Sequence, residues 1–410
     1  MIEQLTSDDA VSRRGTRNGV EAMLASAARK MLDFTPVGAV VVELPSGQRY
    51  RFGGETGEPA PMLKLKNFSV LRRAIARGRL GFAESYISGD LDISDPTALF
   101  RFYLDNERAF SRSGGNVFKG RLIDRLAHLA RRNSVRGSRR NIAAHYDLSN
   151  DFFRLWLDPD MIYSSGLFSA HAESLEQSQD AKIRRILELL ELSDGERVLE
   201  IGCGWGALAR AAAQSHGAHV RGITLSQAQL SHCRETVQAD CAPGSSEFHL
   251  QDYRESAGEF DRIMSVEMIE AVGEDYWPTY FQTLHDRLAP GGCAVIQAIT
   301  MDDMHFPAYR QGTDFIQRYI FPGGMLPTRT IIARQAEAAG LRLDHCENFG
   351  ASYAETLRHW RRRFEAAWPQ IERLGFDETF RRMWRYYLTY CEAGFDQGII
   401  DVGLYRLRKP

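Results

Sequence analysis

The sequence predicts a two-domain α/β protein whose larger, carboxyl-terminal domain is built on a doubly wound, Rossmann-like sheet. Three observations predict it. Beyond Gln179, apolar strands alternate with helical segments, the order that builds a parallel sheet covered by helices on both faces. One of these strands runs into a glycine-rich turn that opens a helix. A chain of 410 residues also exceeds the size at which one hydrophobic core keeps growing, so a second, smaller domain is expected.

Residues 38–53 carry a β-branched run, a Pro45-Ser46-Gly47 turn and then alternation, which predicts a hairpin. Leu71 to Arg79 has helical spacing, and the segment from Gly81 to Asp92 leads to a second apolar helix around Leu99 to Leu104. These elements make a small α+β domain over residues 1–110. The stretch 111–140 is a basic linker or amphipathic segment: Arg112, Lys119, Arg121, Arg125, Arg131, Arg132, Arg136, Arg139 and Arg140 stand against one acid, Asp124. Leu122, Ile123, Leu126 and Leu129 space apolar residues among those cations, the pattern of a helix lying on an anionic bilayer surface; a solvated linker is the alternative.

Residues 141–410 then form the sheet domain. A helix from Asp180 to Leu192 precedes the strand Arg197–Ile201, a helix from Leu208 to His216 and a strand beginning at His219; further strands follow at 247–250, 260–266 and 293–298. Hydrophobic residues at 44% and charged residues at 25% are ordinary globular usage and exclude a wholly disordered chain. A net charge of -2 excludes a globally basic nucleic-acid binder, and no nucleic-acid motif accompanies the basic segment. The amino end has neither a basic nor an apolar leader region, which predicts a cytoplasmic protein. The six cysteines lack CxxC spacing, which argues against a disulfide framework and a structural zinc site.

In the run Val198–Gly206 (VLEIGCGWG), Gly202, Gly204 and Gly206 let backbone approach a ligand closely. A dinucleotide fold also wants an acid at the end of the next strand, to hold a ribose hydroxyl. Thr224 stands there, followed by Leu225 and Gln229, so NAD loses support. The later strand delivers Asp252 and Tyr253, a carboxylate for an exocyclic adenine amine and a ring to lie beside the base. This order suits S-adenosylmethionine (SAM). A helix cap is the structural alternative for Asp252.

Four segments occur in one order: AHYDLSNDFF from Ala144, Met161–Ser165 (MIYSS), Val198–Gly206, and Asn348–Tyr353 (NFGASY). With them, and with GFAESYISG from Gly81 and YYLTYCEAGF from Tyr386, the chain resembles the cyclopropane-fatty-acid synthases over nearly its whole length. The resemblance implies a class I SAM-dependent methyltransferase domain, an amino-terminal lipid-engaging domain, and a homodimer acting on phospholipids in the bilayer. It therefore places the protein peripherally, at the inner face of the membrane. Tyr163, Ser164, Gly202, Gly204, Thr224, Leu225, Gln229, Asp252 and Tyr253 are the residues expected to serve SAM.

The resemblance also implies bicarbonate as the base that closes a three-membered ring, held by Cys, Glu, His and Tyr side chains and an Ile backbone. Glu270, Tyr353 and Ile299 match that set, but Ser165 stands in place of the cysteine and Gln297 in place of the histidine. Ala271 replaces a common histidine. Ser and Gln hydrogen-bond an anion yet take up no proton near neutral pH. Without ring closure, the same cation loses a proton from chain carbon and leaves a methyl-branched, unsaturated product. Glu267, three residues before Glu270, reaches the same pocket if both lie on one helical turn; an exposed or salt-bridged glutamate is the commoner fate and is the expectation.

Aromatic residues at Tyr276, Trp277, Tyr280, Phe281, Tyr309, Phe315, Tyr319 and Phe321 are candidates for an acyl tunnel and for stabilising a carbocation, about half of them being ordinary core. In the helix from Arg358, arginines meet phosphate and Trp360 and Trp368 anchor at an interface; a solvated helix edge is the alternative. His145 reads as a loop cap. Two rival functions remain open: a methyltransferase of a sterol, amine or other small lipid, and a non-catalytic SAM or lipid sensor.

Overall fold

The computed structural model describes residues 4–5, 37–54, 60–107, 148–169 and 174–410. The basic segment from Arg112 to Arg140, the domain boundary read at residue 110 and His145 lie outside the described residues. The described chain forms two compact units: residues up to 107 together with Phe376–Gln397, and residues 148–375 together with Gly398–Pro410.

In the first unit, β1 (Gln4–Leu5), β2 (Ala39–Glu43), β3 (Arg49–Gly53), β4 (Met62–Leu65) and β5 (Leu91–Ile93) form a sheet in the order β1-β3-β2-β4-β5. The β2–β3 pair is the antiparallel hairpin expected around Pro45-Ser46-Gly47. Helices Ser69–Ile87 and Pro96–Asp105 follow the apolar spacing, the second capped by Asp95, which accepts from the Ala98 amide at 3.0 Å. The carboxyl-terminal helix Glu378–Asp396, read from the sequence as part of the sheet domain, belongs to this unit instead. Its buried face explains the difference. The Phe100 ring meets Tyr386 edge-on at 5.0 Å, Arg382 donates to the Tyr86 carbonyl at 2.5 Å, and buried Glu392 accepts from Thr97 at 3.3 Å. Sequence distance gives no hint of these pairings.

The second unit carries seven strands: β6 (Arg197–Ile201), β7 (His219–Thr224), β8 (Ser245–Leu250), β9 (Phe260–Val266), β10 (Leu288–Met301), β11 (Arg342–Asn348) and β12 (Ile400–Arg408), in the order β11-β12-β10-β9-β6-β7-β8. The neighbours from β10 to β8 run parallel, while β12 is antiparallel to both β10 and β11. The chain winds outward from β6 through β7 to β8 and then returns to β9 on the other side of β6. That reversal opens a crevice at the carboxyl ends of β6 and β9, the place where ligands bind in open α/β sheets. Strand β6 is buried from Val198 to Ile201 and β9 at Phe260 and from Ile263 to Ser265, where their apolar residues fall.

Helix Gly350–Arg373 buries Tyr353, Leu357, Trp360, Phe364, Trp368 and Ile371, a stripe spaced three to four residues apart. Trp360 is fully buried and Trp368 is 7% exposed, so neither anchors at an interface. Nor are the neighbouring arginines all available to phosphate: Arg363 pairs with Glu176 at 2.6 Å and Arg358 with Glu355 at 2.7 Å. The helix packs inward because its apolar stripe is wide enough to close the core.

Candidate active site

Strand β6 ends in a turn in which Gly202 and Gly204 have φ of 81° and 53°, in the left-handed region. A Cβ on Gly202 would press on Met268, whereas one on Gly204 would meet no heavy atom within 4 Å, so the Gly204 backbone borders open space. Helix Ala207–His216 starts directly after this turn. At the end of β7, the Thr224 hydroxyl donates to Gln229 Oε1 at 2.7 Å and accepts from the Ser226 amide at 3.1 Å, locking both residues beside half-buried Leu225. After β8, Asp252 caps a short helical turn and takes Arg254 on both carboxylate oxygens, at 2.8 and 2.6 Å. The capping alternative is therefore realised. Tyr253 is buried with its ring edge-on to Tyr280 at 5.7 Å. Exposed glycine backbone and polar side chains at adjacent strand ends fit a SAM-type ligand, with Gly202, Gly204, Thr224 and Gln229 nearest to hand.

The chemical centre lies where the Tyr163–Ser165 turn, the end of β9, β10 and helix Gly350–Arg373 come together. Glu267, directly after β9, occupies a left-handed conformation with φ of 49°, unusual for a residue with a side chain and a mark of functional strain. Its carboxylate collects three donors. The Ser165 amide and Gln297 Nε2 bond Oε1 at 2.9 and 2.7 Å, and the Tyr353 hydroxyl bonds Oε2 at 2.6 Å. The expectation of an exposed or salt-bridged Glu267 is thus corrected: β10 and the later helix supply partners that its own neighbours do not. Glu270 is on the next turn, within the short helix Ile269–Val272. Its Oε1 accepts the Ile299 amide at 2.5 Å, and its buried Oε2 has no hydrogen-bond partner among the described residues. The two acids share the pocket through a backbone turn and not through one helix face.

Burial, and then repulsion from Glu267, push the Glu270 carboxyl up to about 8, so it is neutral at pH 7. Burial also raises Glu267, but its donors and the Lys182 charge oppose the shift. An unfolded Glu270 releases its proton near 4.5 and the folded one only near 8; stability contributed by the neutral acid is full below 4.5 and is lost as pH rises through 8. Glu270→Gln, which keeps the acceptor for Ile299, is expected to melt higher than the parent above pH 8 and to match it near pH 4.5, as read by thermal unfolding at both.

Ser165 itself is fully buried, and its hydroxyl is turned to the Gly166 carbonyl at 2.8 Å. Ser164 accepts Lys182 Nζ on its hydroxyl at 2.7 Å and Gln179 Nε2 on its carbonyl at 2.9 Å. Tyr163 stacks within an aromatic wall, 5.3 Å from Phe153 and 5.2 Å from Trp360. Of the proposed tunnel residues, Trp277, Tyr280 and Phe281 are core, Phe315 is buried, and Tyr276 and Tyr309 pack partly against that core. Lys182 and Gln179 escaped the sequence reading. Their signal was present: Ser178, Gln179 and Lys182 place polar groups at helical spacing on the buried face of helix Leu175–Leu190.

Comparison with known proteins fits this geometry. A profile described as mycolic acid cyclopropane synthetase matches residues 133–404. The chain belongs to this family. It is 40% identical, over 94% of its length and 92% of the relative's, to tuberculostearic acid methyltransferase UfaA1 of Mycobacterium tuberculosis. It is 35% identical to the cyclopropane-fatty-acyl-phospholipid synthase of Escherichia coli, over 86% of this chain and 92% of that one. Among solved structures, mycolic acid cyclopropane synthase CmaA1 in complex with SAH and CTAB superposes with a TM-score of 0.62 at 33% identity, covering 66% of this chain and 98% of that chain. The protein is accordingly a SAM-dependent methyltransferase of the cyclopropane synthase type, with SAM as cosubstrate. Among the described residues, no helix is long and apolar enough to cross a membrane.

Proposed function

We propose that this family member transfers the SAM methyl group to a cis double bond in an acyl chain of a membrane phospholipid and releases a methyl-branched, still unsaturated chain. One observation carries the reading. The Ser165 amide, Gln297 and Tyr353, at the positions the family resemblance assigns to a bound anion, all donate to the Glu267 carboxylate. A bicarbonate would need those donors and would sit against a like charge. Bound SAM supplies an electrophilic methyl carbon; the remaining work falls to the chain.

The alkene π pair forms the new carbon–carbon bond as the sulfur–methyl bond breaks and leaves its electron pair on the departing thioether sulfur, and positive charge develops on the adjacent chain carbon. The aromatic wall of Phe153, Trp156, Tyr163 and Trp360 excludes water and offers ring faces to that charge. Glu267 then takes a proton from a neighbouring chain carbon, and the released C–H pair becomes the new double bond. Neutral Glu270 adds no second negative charge to compete for the cation. A relative named as a tuberculostearic acid methyltransferase at 40% identity supports this outcome over ring closure. The basic residues between Arg112 and Arg140 favour an anionic bilayer as the source of the substrate, and the homodimer implied by the resemblance is part of the same proposal.

The test is mass spectrometry, with hydrogenation, of vesicle lipids after incubation with trideuteromethyl-SAM. Vesicles of cis-monounsaturated phospholipid, with and without anionic headgroups, are compared. Three retained deuterons with a reducible double bond, and more label with anionic vesicles, are expected. Two deuterons and no reducible bond would establish cyclopropanation. Absence of label from lipid, with SAM bound, would sink the reading.

A further inference from the structure

Lys182 is 2% exposed, near the middle of helix Leu175–Leu190. An ammonium in such a place is costly unless it meets compensating charge. Its Nζ reaches the Ser164 hydroxyl at 2.7 Å, and Ser164 is joined by one peptide bond to Ser165, whose amide holds Glu267 at 2.9 Å. Gln179, one turn earlier, fixes the Ser164 carbonyl at 2.9 Å. One helix face thus grips the turn that carries a Glu267 donor.

We propose that Lys182 is a positioning residue for methyl transfer: anchored on Ser164, its ammonium fixes the Tyr163–Ser165 turn that holds the Glu267 carboxylate. The proposal rests on the reading of Glu267 as the base. The charges around the pair favour this assignment. Three carboxyl groups act on Lys182, from Glu267 after β9, Asp158 after helix Asn150–Arg154, and Glu200 on β6, and Glu267 acts most strongly. Burial drives Glu200 well up, which weakens it as a counter-ion, and it acts on Lys182 less than Glu267 or Asp158 does. Asp158 is raised by burial to about 6 and has its own backbone donors at Ile162 and Asp160, at 2.8 and 3.1 Å. Glu267 faces Lys182, neutral Glu270 and the Tyr353 hydroxyl. Lys182 is therefore a cation that, with the donors from Tyr353 and Ser165, offsets the burial of Glu267. Burial lowers Lys182 itself to about 8, so it carries its charge at neutral pH and loses it above.

Single-turnover methyl transfer is measured against pH for the parent, Lys182→Met, Ser164→Ala and Glu267→Gln, with SAM affinity by calorimetry. Loss of the cation raises the Glu267 pKa, so the acid limb for Lys182→Met is expected to move up by about one pH unit, and the rate on the acid side of the parent's limb to fall about tenfold. Ser164→Ala releases the anchor and is expected to move the limb the same way by less; it decides the matter if Lys182→Met does not fold. SAM affinity is expected to hold in Lys182→Met. A reduced rate with an unmoved limb would make Lys182 merely structural and overturn the proposal, provided Glu267→Gln is inactive. Parent-like activity and pH dependence in Glu267→Gln would instead overturn the base assignment itself.

Discussion

Glu267→Gln lowers the single-turnover rate of product formation about a thousandfold, within the range expected for loss of a positioned general base. The amide is close to isosteric with the carboxylate and still accepts from Tyr353 or the Ser165 amide, which bond the two oxygens in the parent at 2.6 and 2.9 Å. The fold and the SAM crevice around Gly202 and Gly204 should therefore persist. What disappears is an electron pair able to take a proton from carbon, along with the negative charge beside the developing cation. The check is rapid-quench measurement under saturating SAM, with affinity determined separately. A loss smaller than about tenfold, with intact SAM binding, would remove Glu267 from the chemistry and return the question of the base to Glu270 or to a captured anion.

Trp360→Ala has the largest expected effect on stability, about 3–5 kcal/mol in denaturant unfolding. The indole is fully buried and packs within 5.9 Å of Trp156, 5.2 Å of Tyr163 and 6.0 Å of Tyr353, measured between ring centres. Its Nε1 has no hydrogen-bond partner among the described residues, so truncation strands no acceptor there, and the cost comes from the cavity and the lost ring contacts. Trp360→Phe should recover a substantial part. A membrane-anchoring tryptophan would behave in the opposite way: its removal would cost little stability and weaken vesicle binding. Because Trp360 backs both the Tyr163 turn and the Tyr353 hydroxyl, the alanine variant should also slow methyl transfer more than it weakens SAM binding. Unfolding curves that overlay those of the parent would contradict the packing described here.

Much of the sheet domain follows from local sequence alone. The strands Arg197–Ile201 and Phe260–Val266 stand at their expected places because short apolar runs between turn signals have few other ways to be buried. The glycine turn after β6 is likewise local, since backbone in the left-handed region next to open space calls for residues without Cβ. The absence of an acid at Thr224 was enough to disfavour a dinucleotide. Family membership was equally legible, because its motifs are contiguous.

Three features were decided only by the tertiary structure. Helix Glu378–Asp396 joins the amino-terminal unit because its aromatic face finds Phe100 and Tyr86, partners almost 300 residues away, which no periodicity can reveal. The indoles of Trp360 and Trp368 face inward because an apolar stripe flanked by arginines suits an interface or a core equally well, and only the packing partners choose. Glu267 changed most in the transition from sequence to structure. As a glutamate near a helix start it resembles any exposed acid, yet β10 brings Gln297, the 163–165 turn brings the Ser165 amide, and helix Gly350–Arg373 brings Tyr353. Three donors from distant segments convert it into a held carboxylate at the reaction centre. Local residue types set which groups are available; the convergence of separate elements sets which of them meet, and catalysis depends on that meeting.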